Sequence, residues 1–344
     1  MNTKGQNRTP AERATIGLAL SSGGARGAAH AGVLEVLARE GVQISAVSGS
    51  SIGAVVGGAY AAGLSPERIS QEWLNTDLPK VVRSFLPTFP RAGLSSGGGL
   101  RKYLRSVLGN TRIEDLPLPF AAVACDLDTG KEVVLREGLL VDALRASAAI
   151  PGIFYPVPWQ GQVLVDGGLV EPLPVRACRD LGAQIVVAVD VVPAPSPAGT
   201  KRRCLWQPLP VRLAKEMPTH TSVPSNLTNL LEGILADRSG AERSIPGIYS
   251  ILNQAVAIFQ QEILRLKLTL CPADLLIQPN LSSAGVSYLH AADAVRVGKE
   301  AMEAALPTLR HLIEGSAESG QVLETASSGS DAVLSIQSPP RCVA

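Results

Sequence analysis

The chain of 344 residues carries 31 basic and 30 acidic side chains, a formal charge of +1, and is 46% hydrophobic. That balance excludes a global field that would hold nucleic acid or an anionic bilayer, so any peripheral membrane contact has to be local. The five cysteines, Cys125, Cys178, Cys204, Cys271 and Cys342, are odd in number and form no Cys-x-x-Cys, which indicates neither a disulfide framework nor a zinc site and fits a reducing, cytoplasmic compartment.

The polar start, 1–13, lacks the apolar run of a secretory signal and reads as a disordered leader. Short apolar runs then alternate with helical patterns, the signature of parallel strands joined by crossover helices. "TIGLAL" (15–20) is the first predicted strand, and "GAAHAGVLEVLAREG" (27–41) places Ala31, Leu34, Leu37 and Ala38 at helical spacing. "ISAVS" (44–48) is the second strand. "FAAVACDLDTGKEVVL" (120–135) reads as two strands around an Asp-Thr-Gly turn, "QVLVDGG" (162–168) as a strand running into a loop, and "AQIVVAVDVV" (183–192) and "ADLLIQPNL" (273–281) as further strands. The proline-rich stretch within 193–250 reads as an insertion or lid, and the Ser/Gly-rich residues 315–344 as a disordered tail. In 247–268, Ile251, Val256, Phe259, Ile263 and Leu266 fall near one helical face, a pattern that core packing explains.

Ile44 to Leu64 has no charged residue and is long enough to cross a bilayer. It is rich in glycine and serine rather than leucine, however, and "GSSIG" divides it into a strand-like half and a helical half ending near Gly63. That is the strand–turn–helix context of a G-x-S-x-G nucleophile elbow, with Gly49, Ser51 and Gly53 in the fixed positions. A serine at such a corner is exposed at a helix N-terminus, and the small residues after it let the helix lie close to a sheet.

"SSGGARG" (21–27) stands between the first strand and its helix, where successive backbone N–H groups can hold an anion. It lacks the G-K-[ST] of a P-loop and the first glycine of a dinucleotide fingerprint, where Ser22 stands. Gly23 and Gly24 are therefore read as oxyanion donors, with Arg26 adding charge or anchoring the loop. The order Ser51, Asp166, then His290 or His311 would match the chain order of an α/β-hydrolase triad, but both histidines lie inside helical patterns and only one strand precedes the elbow; His30 follows the glycine loop, so each reads as structural. Asp166, at a strand end before Gly167 and Gly168, is the remaining candidate base. An aspartate with a reference pKa of about 3.9 is a weak base for a hydroxyl, and alone "VDGG" also reads as an ordinary turn. "ACDLDTG" departs from an aspartyl-phosphate motif at Gly130 and lacks the ligand spacing of a calcium loop; no metal or cofactor is implied.

Together with "ASAAIPGIFYPV" (146–157), "VDGGLVEPLPV" (165–175) and "ADLLIQPNL", these motifs resemble the patatin-like phospholipase family over residues 14–312. The resemblance implies a three-layer α/β/α fold with a mainly parallel central sheet. It also implies a Ser51–Asp166 dyad without histidine, an oxyanion element of Gly23, Gly24 and Arg26, and motif glycines Gly27, Gly49, Gly53, Gly167 and Gly168. The expected activity is hydrolysis of phospholipid or lysophospholipid esters through an acyl-enzyme. The alternative is a non-catalytic lipid-binding or regulatory protein on the same fold. Ser22 and Glu171 depart from the family pattern, Glu171 placing a charge near the candidate base.

Overall fold

The computed structural model describes residues 14–76, 93–192, 248–281 and 291–326. The leader, most of the 193–250 insertion, and His290 lie outside the described residues.

Strands β1 (Ile16–Leu20), β2 (Ile44–Ser50), β4 (Phe120–Asp126), β9 (Ile185–Val189) and β10 (Leu275–Ile277) form the parallel part of one sheet, in the order β10-β9-β1-β2-β4. Three antiparallel strands complete it at the β4 end: β5 (Glu132–Leu135), β7 (Val157–Trp159) and β8 (Gln162–Asp166). A short parallel pair, β3 (Gly93–Ser95) with β6 (Gly152–Phe154), stands apart. The buried parallel strands read as continuous apolar runs because both faces are covered. Alternation divides them: Ile16, Leu18 and Leu20 of β1 join the larger core, while Ala19 joins the smaller one on the opposite face.

Helix α1 (Ala28–Arg39) covers the first face together with α8 (Ala292–Ala326). The two cross at glycines, since a Cβ on Gly32 would meet the Val295 carbonyl and one on Gly298 the Ala29 carbonyl. α8 continues past Gly315, where the sequence suggested that a tail begins; residues 327–344 lie outside the described residues. Helices α6 (Val175–Asp180) and α7 (Ile248–Leu270) lie over the second face. α7 starts within the stretch read as insertion. It also corrects the core-stripe reading. Leu264 joins the smaller core with half-buried Leu268 packed against it, whereas Phe259 is 66% exposed and Leu266 and Ile251 are also exposed. No helix among the described residues is long and apolar enough to cross a membrane. Cys125 and Cys178 are free and buried, and Cys271 is disulfide-bonded, which the cysteine spacing did not anticipate.

Four more helices complete the described fold: α2 (Ile52–Ala61), α3 (Pro66–Leu74), α4 (Gly98–Leu108) and α5 (Leu140–Ser147). α2 contains three glycines, each costing about 1 kcal/mol relative to alanine in a helix interior. Packing explains the choice: a Cβ on Gly53 would stand 2.2 Å from the Leu20 carbonyl oxygen, and one on Gly57 would press on Val47. The helix consequently lies directly on β1 and β2.

Candidate active site

β2 ends at Ser50 and α2 begins at Ile52, so the whole turn falls on Ser51, which adopts φ 54° and ψ −120°. A non-glycine residue there stores about 1–3 kcal/mol of strain and persists only where its surroundings hold it. Ser147, at the end of α5, provides that hold: the Ser51 N–H donates to Ser147 Oγ at 2.9 Å, and Ser147 Oγ donates to the Val123 carbonyl at 2.5 Å. Gly49 leaves room for the tight return, since a Cβ on it would meet the Gly53 backbone at 2.4 Å. The sequence motif "ASAAIPG" gives Ser147 no part of its own, since it is a small residue among alanines and only the fold brings it to Ser51.

The sheet brings Asp166 to this corner. β5 pairs with β4 along Ala122–Cys125 on one edge, leaving the opposite edge to both β2 and β8. β2 runs parallel to β4 until Ser50 pairs with Val123; β8 runs antiparallel until Asp166 pairs with Ala124, the next residue. The two strands therefore meet C-terminus to C-terminus. Gly167 stands at the meeting point, where a Cβ would lie 2.1 Å from the Val123 oxygen.

Ser51 Oγ donates to Asp166 Oδ2 at 2.6 Å, and Asp166 Oδ1 accepts from the Gly168 N–H at 2.8 Å. Ser51 is 5% and Asp166 4% exposed. Burial pushes the Asp166 carboxyl up to about 6, with the Ser51 hydroxyl and Gly168 N–H pulling it partly back. This candidate base thereby titrates closer to neutral pH than an aspartate in water.

The glycine loop is fastened beside them. Ser21 N–H donates to Val189 O at 3.0 Å, Ser22 N–H to Pro172 O at 2.8 Å, and Ser21 Oγ accepts from the Val191 N–H at 2.8 Å. His30 Nε2 lies 3.0 Å from the Ser21 carbonyl and donates to it in the tautomer this contact favours. Complete burial lowers the imidazole to about 4, so it is neutral and serves to hold the loop. Gly23 is the N-cap of the short 3-10 turn Gly24–Gly27, with Gly24 at φ 58° and Arg26 half-buried. A Cβ on Gly27 would strike Ile52, so this glycine sets the loop against the start of α2. His311 is exposed on α8.

From Ser51 and Gly24 a cavity of about 170 Å3 extends between helices. α2 lines it with Ile52, Val55, Val56 and Ala59, the i, i+3, i+4, i+7 face opposite its sheet-facing glycines. α4 contributes Leu100, Tyr103, Leu104, Val107 and Leu108, and α3 contributes Ile69, Glu72 and Trp73. Ala148, Ile150 and Phe154 complete the end nearest Ser51. Arg145 supports that end: its Nη2 donates to the Ser96 and Tyr155 carbonyls at 3.0 and 2.9 Å, and its guanidinium lies 4.9 Å from the Phe154 ring centroid. Burial lowers it to about 10, leaving it cationic at neutral pH.

Glu171 lies one short turn beyond Asp166, 4% exposed, with Lys267 Nζ of α7 at 2.9 Å. Burial raises its carboxyl to about 7, against the pull of Lys267. The departure noted in the sequence is thus part of an ion pair that ties α7 to the Asp-Gly-Gly turn. Gln260 of the same helix packs where a Cβ on Gly168 would fall. Asp126 of "ACDLDTG" accepts from the Asp128 N–H and Thr129 hydroxyl of its own hairpin turn. No cluster of metal ligands occurs among the described residues.

A sequence model described as "Patatin-like phospholipase" matches residues 18–179. An uncharacterized NTE family protein of Mycobacterium tuberculosis is 32% identical over 326 residues, covering 83% of this chain and 89% of its own. Patatin-like phospholipase domain-containing protein 6 of Mus musculus is 36% identical over 183 residues, covering 52% of this chain and 13% of that protein. The crystal structure of VipD from Legionella pneumophila matches with a TM-score of 0.43 at 14% identity, covering 88% of this chain and 69% of that one. The likeness to the mycobacterial protein extends over most of both chains, and this chain belongs to the patatin-like phospholipase family, a family of lipid hydrolases.

Proposed function

We propose that the protein is a serine lipid acyl hydrolase that cleaves carboxylic esters of phospholipids or lysophospholipids through Ser51 and Asp166. The observation that carries this reading is the 2.6 Å hydrogen bond between a strained, buried serine and a desolvated carboxylate. Ser51 Oγ attacks the acyl carbonyl while Asp166 takes its proton, and the tetrahedral oxyanion is held by the Gly23 and Gly24 N–H groups with Arg26 nearby. Collapse returns that proton to the leaving alcohol and leaves an acyl-enzyme. Water, activated by the same carboxylate, then releases the fatty acid and regenerates Ser51. No cofactor is needed for this sequence. The exposed Ile251, Phe259 and Leu266 on α7 support a local contact with the lipid surface, with the rest of the protein outside the bilayer.

Fluorophosphonate labelling of the purified full chain, with and without phosphatidylcholine vesicles, followed by peptide mass spectrometry, tests the assignment. The expected adduct is on Ser51, and labelling that rises with vesicles supports the surface contact. A folded protein that takes no label in either condition overturns the hydrolase reading in favour of a non-catalytic lipid-binding protein.

A further inference from the structure

We propose that the cavity beside Ser51 holds one acyl chain of medium length, and that Ala59 determines how long that chain can be. The proposal rests on the hydrolase reading above and adds to it the class of acyl group accepted.

The cavity starts at the nucleophile and follows α2 away from it. From Ser51 to Ala59 is eight residues, or about 12 Å at 1.5 Å per residue, roughly the length of an extended chain of eight to ten carbons. α4 gives an independent measure. Gly97, just before α4, abuts Arg145 beside Phe154 at the Ser51 end, and Leu108 lies eleven residues further on, about 16 Å away. Beyond Ala59 the lining passes to Leu64, whose N–H returns to the Ala59 carbonyl at 3.1 Å, and to the buried Ile69 and Leu108.

Its chemistry points to an alkyl chain rather than a polar ligand. The polar groups that α3 and α4 bring to the lining are already engaged. The Tyr103 hydroxyl donates to Glu72 Oε2 at 2.8 Å, the other Glu72 oxygen pairs with Arg68 at 2.7 Å, and the Thr76 hydroxyl donates to the Glu72 carbonyl at 2.6 Å. A polar ligand would have to break these bonds, whereas methylene groups need only displace water from apolar walls.

Within the α2 face the first three positions, Ile52, Val55 and Val56, are branched, and the fourth is alanine. Branching there narrows the passage. The missing bulk at Ala59 leaves the distal room, and a larger side chain at that position removes it.

The test is a p-nitrophenyl ester series, acetate through hexadecanoate, assayed with the full chain. The expected kcat/KM is greatest at octanoate or decanoate. Ala59→Leu, and separately Val107→Phe from the facing helix, should each lower the decanoate-to-butanoate ratio by about tenfold or more. The ratio is taken within one preparation, so partial unfolding of a variant does not alter it. A wild-type rate that climbs through hexadecanoate, or ratios unchanged in both variants, overturns this proposal and leaves hydrolysis at Ser51 standing. Failure to turn over any ester, together with no label on Ser51, removes the hydrolase reading itself and the acyl assignment with it.

Discussion

The two faces of α2 differ in what they pack against. On one, Gly53 and Gly57 bring the helix backbone onto β1 and β2, leaving no space for a methyl group at Gly53. On the other, Ile52, Val55 and Ala59 border open volume beside Ser51. One surface holds Ser51 in a strained conformation, and the other leaves open volume beside it, the space assigned to substrate in the proposed reaction. Substitutions on the first should therefore affect folding and positioning, and on the second substrate choice.

The largest effect is expected where the two faces meet. Ser51→Ala should abolish fluorophosphonate labelling, and Asp166→Asn should lower kcat/KM at least about a thousandfold with the fold intact by circular dichroism. Retention of full activity in either would break the assignment of the site. On the packed face, Gly53→Ala should cost about 4 kcal/mol or more, measured by urea unfolding, because backbone carbonyls rather than a flexible side chain stand in the way. Val55→Ala, on the open face, should cost about 1 kcal/mol. Similar losses at the two positions would erase the distinction between the faces.

Ser147→Ala should come next, costing about 1–3 kcal/mol because it leaves the Ser51 N–H and the Val123 carbonyl without their shared partner. Its kcat should fall further than its KM rises, since the serine positions the nucleophile and does not line the cavity. Lys267→Met should destabilise by about 2 kcal/mol at pH 8, where Glu171 is ionised and left without its cation. Below the Glu171 value of about 7 that loss should shrink, and chemical denaturation at pH 5.5 and pH 8 measures the difference.

The smallest effect concerns the base. Its carboxyl is raised in the folded state, so folding favours the protonated form, and the stability it contributes at low pH is lost as pH rises through about 6. Asp166→Asn removes that penalty and should raise Tm by a few degrees at pH 8 while changing it little at pH 4. Activity should run the opposite way, increasing with pH through about 6 as the Asp166 carboxylate forms, and a kcat/KM profile measures this.

Much of this was legible in the chain itself. The apolar runs within 15–20, 44–48, 120–135 and 183–192 mark buried strands because both sheet faces are covered, and G-x-S-x-G marks the elbow because a tight strand-to-helix turn over a sheet admits little else at Gly49 and Gly53. The stripe on α7 misled, because helical spacing identifies an apolar face without saying whether a partner covers it. In the structure Leu264 meets the core and Phe259 does not.

Local pattern therefore determined the elements and marked the positions of the elbow and the glycine loop, through spacing and contacts among residues close in sequence. The tertiary structure decided what those contacts could not. Asp166 reaches Ser51, 115 positions away, because β2 and β8 share one edge of β4 and end against each other. Ser147, Lys267 and the cavity walls arrive in the same way, from separate helices whose relative placement depends on burial summed over the whole sheet.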